Sequence, residues 1–290
     1  MRTLRYVPGM KTPEIVTTVS DLRSRISHWR AKGERIGLVP TMGALHEGHL
    51  SLVRETQKCC DRSVASIFVN PTQFAPHEDF DRYPRTLQSD AEKLSGASLD
   101  LIFAPSVAEL YPPGFATKIE VGGPSIGLET DFRPHFFAGV ATVVSKLLIA
   151  AMPDFAIFGE KDYQQLLVIR RLTADLGLPI EIAGAPIVRE PDGLAMSSRN
   201  AYLTEGERKI AGELNVVLRK VVSQVRASGE IATAEASGNA MLLSAGFPSV
   251  DYLAIRDAAT LEKLDKLDRP ARVLVAAKVG STRLIDNMAI

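Results

Sequence analysis

Cysteine is nearly absent from this chain: two in 290 residues, Cys59 and Cys60, side by side. Neighbouring cysteines seldom bridge each other, because the short link strains the backbone between them. No disulfide framework and no zinc spacing is therefore available, and a reducing cytoplasm is the expected setting. An excess of charge is missing too. Lys plus Arg equals Asp plus Glu at 34 each, and no dense basic run occurs. That removes the field that draws a chain to nucleic acid and weighs against a tRNA partner. Long apolar runs are also lacking. The longest, Val140 to Met152, carries Lys146 and is too short to span a bilayer, so a buried helix is expected there. The opening Met1-Arg2-Thr3-Leu4-Arg5-Tyr6 has no apolar core and reads as no export signal. There is no internal repeat and no low-complexity tract.

What is present suits a globular protein with a substantial core: 46% hydrophobic and 23% charged residues. The length favours two domains, one larger than the other. After a variable first dozen residues, Leu22, Ile26 and Trp29 recur at helical spacing over Val19 to Lys32, and Gly33 stops the helix. Short apolar runs at Ile36–Pro40, Ser63–Val69, Leu99–Ala104, Phe155–Phe158 and Ile180–Val188 read as buried parallel strands. Helical stretches carrying Leu50, Leu52 and Val53, and running from about Tyr163 to Leu176, fall between them. Such alternation predicts an α/β fold with a doubly wound parallel sheet, whose ligands bind beyond the carboxyl ends of the strands. After Arg189 the character changes. Thr204 and Glu207 have capping-box spacing and open a long amphipathic helix to about Ala227. A helix over Thr233 to Ala245 and strands at Asp251–Ile255 and Arg272–Ala277 complete a smaller α+β domain. The expected division is 1–187 and 188–290.

Three polar clusters sit where that fold would place a site. The first is Thr41-Met42-Gly43-Ala44-Leu45-His46-Glu47-Gly48-His49, at a strand-to-helix turn. A helix N-terminus suits phosphate, the glycines allow close backbone approach, and imidazoles at i and i+3 share a face. A metal pair or a capping histidine is the plainer alternative, although no third ligand stands at a recognisable spacing. The second is Gly159-Glu160-Lys161-Asp162-Tyr163-Gln164-Gln165, where Lys161 could neutralise phosphate and Asp162 could cap the helix or bind a sugar hydroxyl. The third, Met196-Ser197-Ser198-Arg199-Asn200, could clamp a polyphosphate or be an ordinary Ser-rich turn. Gln73 and Gln165 follow different strands and suit an acid carrying hydroxyls, while a surface role is the commoner fate of any single glutamine. Pro76 to Asp90, with Tyr83, reads as a long loop, either a lid or a solvated segment.

PTMGALHEGH (40–49), FVNPTQF (68–74), YPRT (83–86), FGEKDYQQL (158–166), LAMSSRN (194–200) and RLIDNM (283–288) together resemble the pantothenate synthetase family over nearly the whole chain. That resemblance implies a Rossmann-like domain and a two-step reaction. Pantoate would attack the α-phosphorus of ATP to give pantoyl adenylate and pyrophosphate, and β-alanine would then displace AMP. By carry-over, Met42, Gly43, Ala44, Leu45, His46, Glu47, Gly48 and His49 would contact ATP. So would Gly159, Glu160, Lys161, Asp162, Val188, Met196, Ser197, Ser198 and Arg199. His49, His46, Lys161 and Arg199 would act in catalysis, and Gln73 and Gln165 would hold pantoate. The resemblance further implies magnesium, with ligands unassigned, and a homodimer formed through the larger domain. The family usually reads Arg-Pro-Gly-His-Phe where this chain has Arg133-Pro134-His135-Phe136-Phe137, so no role passes to His135. Another HxGH nucleotidyltransferase and a non-catalytic binding homologue are the rival readings.

Overall fold

Six strands of the sequence build one parallel sheet: β1 (Glu14–Val16), β2 (Ile36–Thr41), β3 (Arg62–Ile67), β4 (Leu101–Phe103), β5 (Phe155–Gly159) and β6 (Glu181–Ala185), in the order β1-β4-β3-β2-β5-β6. The structure is a computed structural model that describes residues 12–75 and 78–290. Strand residues are apolar in unbroken runs because both faces are covered. Leu38, Val64 and Phe158 face a core shared with helices α1 (Val19–Arg30), α6 (Phe136–Ala151) and α7 (Tyr163–Asp175). Val39, Ala65 and Ile157 face the opposite core, closed by α2 (Glu47–Thr56) and α3 (Leu87–Gly96). The one-turn helices α4 (Val107–Leu110) and α5 (Glu129–Phe132) lie in the long connection before α6.

The winding reverses between β2 and β5, which are hydrogen-bonded neighbours. That is the topological switch point, where the connections of adjacent strands leave in opposite directions and open a crevice. The first and second polar clusters follow these two strands. The third arrives from the connection after β6.

The remaining chain folds as α8 (Glu205–Ser228), α9 (Ile231–Ser244) and an antiparallel meander of β7 (Ser249–Asp257), β8 (Ala271–Val279) and β9 (Thr282–Ala289). The capping box at the start of α8 forms as expected: Thr204 N donates to Glu207 Oε2 and Glu207 N to Thr204 Oγ1, at 2.8 and 3.3 Å. Leu214, Leu218 and Val221 of α8 pack on Val273, Val275 and Ala277 of β8 in a core of their own.

Four sequence expectations need correction. The strand expected at Ile180–Val188 ends at Ala185, because Pro186 has no N–H to continue the ladder. The edge strand β1 lies just past the segment read as variable, and its three residues are too few to show a period. The third strand of the small sheet, β9, was not anticipated. Lastly, the presumed loop Pro76 to Asp90 is already helical from Leu87, and Asp90 is fully buried rather than exposed on a lid. Pro76 and His77 fall outside the described residues.

Candidate active site

The turn after β2 is shaped by glycine and by one carboxylate. Gly43 and Ala44 have φ of +83° and +51°, a left-handed pair that brings successive amides to one side. Asp90 receives two of those amides, from Ala44 N at 3.0 Å and Leu45 N at 2.8 Å, and the hydroxyl of Thr86 at 3.0 Å. A carboxylate on α3 thus holds the strained turn in place. Asp90→Ala is expected to cost about 2–4 kcal/mol of stability, at roughly 1–2 kcal/mol for each of the two amides stripped of its acceptor, the lower part of the usual range because Ala44 is only half-buried. Urea denaturation would read this as a lowered midpoint with an unchanged slope; an unmoved midpoint would deny Asp90 that role.

His46 caps α2 and His49 lies on its first turn, with ring centroids 4.1 Å apart. Gly48 makes that possible, since a Cβ there would stand 2.9 Å from the His46 ring. His49 Nδ1 accepts from His46 N at 3.3 Å, which assigns the proton of the neutral ring to Nε2. Burial is the main reason that His46 is lowered to about 4, with Lys161 adding to it. Burial, then His46, Lys161 and Lys93, lowers His49 to about 3. At neutral pH the pair is two uncharged imidazoles beside a lysine.

Both histidines line a cleft of about 770 Å³ between the parallel sheet and the antiparallel one. Met42, Gly48, Gln73, Gly159, Lys161, Asp162, Gln165, Val188, Met196, Ser197, Ser198 and Arg199 line it as well. Gly43, Ala44, Leu45, Glu47 and Glu160 do not. Leu45 is core, and Glu47 is an exposed partner of Arg54. The carboxylate of Glu160 is held by Arg272 at 3.2 Å. Gln73 is fixed by Asn70 Nδ2 at 2.9 Å, and α6 passes so close behind that a Cβ on Gly139 would lie 2.4 Å from Thr72 O.

Residues 78–83 form a strap over the cleft. Asp79 takes both Nε and Nη2 of Arg199, at 3.1 and 3.0 Å, and Tyr83 OH lies 3.2 Å from Ser198 Oγ. Glu78 takes Nε and Nη2 of Arg133, each at 2.6 Å. Arg133 also stacks on Phe136, 4.0 Å from the ring centroid. None of Glu78, Asp79, Arg133 or Asp90 was singled out for these contacts by the sequence, because, Thr86 beside Asp90 apart, each hydrogen-bonding partner named here is 45 to 120 positions away. His135 caps α6 and has a buried, unpartnered Nε2.

A doubly wound sheet whose switch-point cleft gathers two neutral imidazoles, a lysine and an arginine defines an α/β enzyme suited to a polyanionic nucleotide. The family model described as pantoate-beta-alanine ligase matches residues 14–289. The chain belongs to the pantoate–β-alanine ligase family. It is 55% identical over 281 residues to the pantothenate synthetase of Mesorhizobium japonicum, covering 97% of this chain and 99% of that one. The Caulobacter vibrioides pantothenate synthetase is 53% identical, covering 97% and 100%. The crystal structure of the Thermus thermophilus pantothenate synthetase superposes with a TM-score of 0.90 at 46% identity, over 95% of this chain and 98% of that one. The Francisella tularensis pantoate-beta-alanine ligase, solved with beta-gamma ATP and β-alanine, gives 0.81 at 35% identity, over 95% and 97%.

Proposed function

We propose that the chain condenses pantoate with β-alanine at the expense of ATP, through pantoyl adenylate, releasing pyrophosphate and AMP. The observation that carries this is the convergence on one cleft of His46, His49, Lys161 and Arg199 with Gln73 and Gln165. The first four are donors or cations for the phosphates, and the glutamines offer paired donors and acceptors for a hydroxy acid. No covalent enzyme intermediate is required. Catalysis is positioning of the pantoate carboxylate against the α-phosphorus, with charge stabilisation on the departing pyrophosphate. Met42, His46, Gly48 and His49, with Gly159, Lys161, Asp162, Val188 and Met196 to Arg199, surround the nucleotide in this reading. Gly43, Ala44, Leu45, Glu47 and Glu160 contribute through backbone shape rather than from the cleft lining.

Magnesium accompanies ATP in this reading. Among the described residues no group of three His, Cys, Asp or Glu side chains forms a cage. Asp162 and the hydroxyls of Ser197 and Ser198 line the cleft, a set that suits an ion bound mainly by phosphate oxygens and water. When bound, it would neutralise charge on the pyrophosphate. We also take residues 1–187 and 188–290 as the two domains, the second covering the site, supported by the separate core of the antiparallel sheet. Among the described residues no helix is long and apolar enough to cross a membrane. A cytoplasmic homodimer is part of the proposal, and sedimentation velocity tests the dimer.

Pyrophosphate–ATP exchange with pantoate present and β-alanine withheld tests the reaction. Exchange that requires pantoate is expected. A folded, ATP-binding protein with no exchange would remove the pantoate assignment.

A further inference from the structure

The last strand carries two adjacent polar residues, Asp286 and Asn287, each only 2% exposed. Successive residues of a strand point to opposite faces, and here each face meets a different cleft loop. On one side the Asp286 carboxylate receives both Nη groups of Arg189, at 2.7 and 2.9 Å. Arg189 stands on the first arm of a hairpin closed by Glu190 N to Leu194 O and Met196 N to Val188 O hydrogen bonds. Its Nη1 also donates to Gly193 O near the tip. The second arm of that hairpin runs straight into Ser197, Ser198 and Arg199.

On the other side Asn287 Nδ2 donates to the carbonyls of Glu160 and Lys161, at 2.8 and 2.9 Å. Its Oδ1 accepts from Arg272 Nη1, whose Nη2 holds the Glu160 carboxylate and whose guanidinium stacks 3.8 Å from the Tyr163 ring centroid. Arg272 stands opposite Ala289 and Leu274 opposite Asn287 in the ladder, so Arg272 and Asn287 are diagonal neighbours on one face. Within the small sheet the dipeptide's side chains make two bonds, Asn287 N to Asp286 Oδ1 at 2.7 Å and Arg272 Nη1 to Asn287 Oδ1, and the rest of their bonding reaches out to the cleft loops. A buried carboxylate is costly where an apolar residue would pack freely. What the two side chains supply is position.

We propose that Asp286 and Asn287 are positioning residues for adenylate formation, holding the Lys161 turn and the Ser197–Arg199 loop at one fixed separation. This rests on the proposed roles of Lys161 and of that loop. Loops displaced by about 1 Å from a reactive geometry lose up to roughly 100-fold in rate. Asn287→Asp keeps the shape and removes both N–H donors; Asn287→Ala is the uncharged companion. The expected result, per folded molecule, is a fall of about 10- to 100-fold in kcat for pantoate-dependent pyrophosphate–ATP exchange. The KM for pantoate should stay within about threefold, and Asp286→Asn should raise the KM for ATP by about tenfold or more, an unchanged ATP KM there removing Asp286 from the proposal. A rate per folded molecule equal to wild type in the Asn287 variants overturns the proposal, whatever their Tm. Lys161→Ala, run alongside, separates the two readings. Full exchange in Lys161→Ala removes the role of the lysine itself. Loss in Lys161→Ala with wild-type exchange in Asn287→Asp removes the positioning alone.

Discussion

His49→Ala is expected to lower pantoate-dependent exchange by about 100- to 1000-fold, the 3–4 kcal/mol typical of one lost preorganised donor. The reasoning starts from protonation. With His49 near 3 and His46 near 4, neither ring carries charge at pH 7. His49 Nδ1 is occupied by the His46 amide, so its remaining function is donation from Nε2. A neutral donor in a cleft already holding Lys161 adds polarity without a second positive charge to desolvate. The pH profile follows. Neither histidine should put a limb near pH 6.5 on kcat/KM of the free enzyme, and a limb there that vanishes in His49→Ala would mean an exposed, ordinary imidazole.

Stability carries the opposite signature. Both imidazoles have folded pKa values below the unfolded 6.5. The unfolded chain therefore binds more protons below that point, and stability falls as pH drops from about 6.5 towards 4 and 3. Two such groups give a slope of up to about 2.7 kcal/mol per pH unit. Removing His49 should roughly halve the slope between pH 6 and 4. Thermal melts across that range would read it, and an equal slope in the variant would exclude His49 as a source.

How far the sequence reveals this architecture depends on how local the determinants are. Unbroken apolar runs at 36–40 and 155–158 announce strands covered on both faces, and the cores around Leu38 and Val39 are that cover. The motifs at the ends of those strands are local, so their meeting at a strand-end cleft could be anticipated from α/β topology. Strand order could not, because the switch between β2 and β5 is decided by where crossovers pack. Helix α3 is concealed by composition: its sequence is mostly polar, and one of its few inward residues is Asp90. Strand β9 is concealed for the same reason. Arg283, Asp286 and Asn287 interrupt its apolar alternation because each answers a partner elsewhere, at distances of 32 to 154 positions along the chain. Polar residues that break a local pattern here mark long-range ties to the cleft.

Arg133→Ala is expected to be the most damaging single change to the fold around the cleft. Arg133 joins Glu78 on the strap to Glu129 on α5, donating to Glu129 Oε1 at 2.9 Å and to the backbone carbonyl of Gln73 at 2.9 Å. Glu129 is bound in turn by Arg283 at 2.9 Å, and Arg283 Nε by Asp251 at 2.6 Å. Three carboxylates thus alternate with two guanidiniums from the strap across to the antiparallel sheet. Burial alone would raise the Glu78 carboxyl, but the hydrogen bonds and charge of Arg133 outweigh it and hold the group below its ordinary range. Deleting Arg133 leaves three carboxylates against one arginine, two of them largely removed from water. Breaking a buried pair in this way costs about 3–5 kcal/mol, which corresponds to a Tm lower by roughly 10 °C. The strap would keep Asp79–Arg199, Tyr83–Ser198 and the edge-on packing of Phe80 and Tyr83 against Phe74, and Gln73 would lose the guanidinium that steadies its backbone. The KM for pantoate should therefore rise by about tenfold or more, a loss of roughly 1.4 kcal/mol in binding. Arg133→Lys keeps the charge but not the forked geometry and should fall between the two. A wild-type Tm in Arg133→Ala would mean that Arg283 alone satisfies Glu129, and that the strap is held from the Arg199 side.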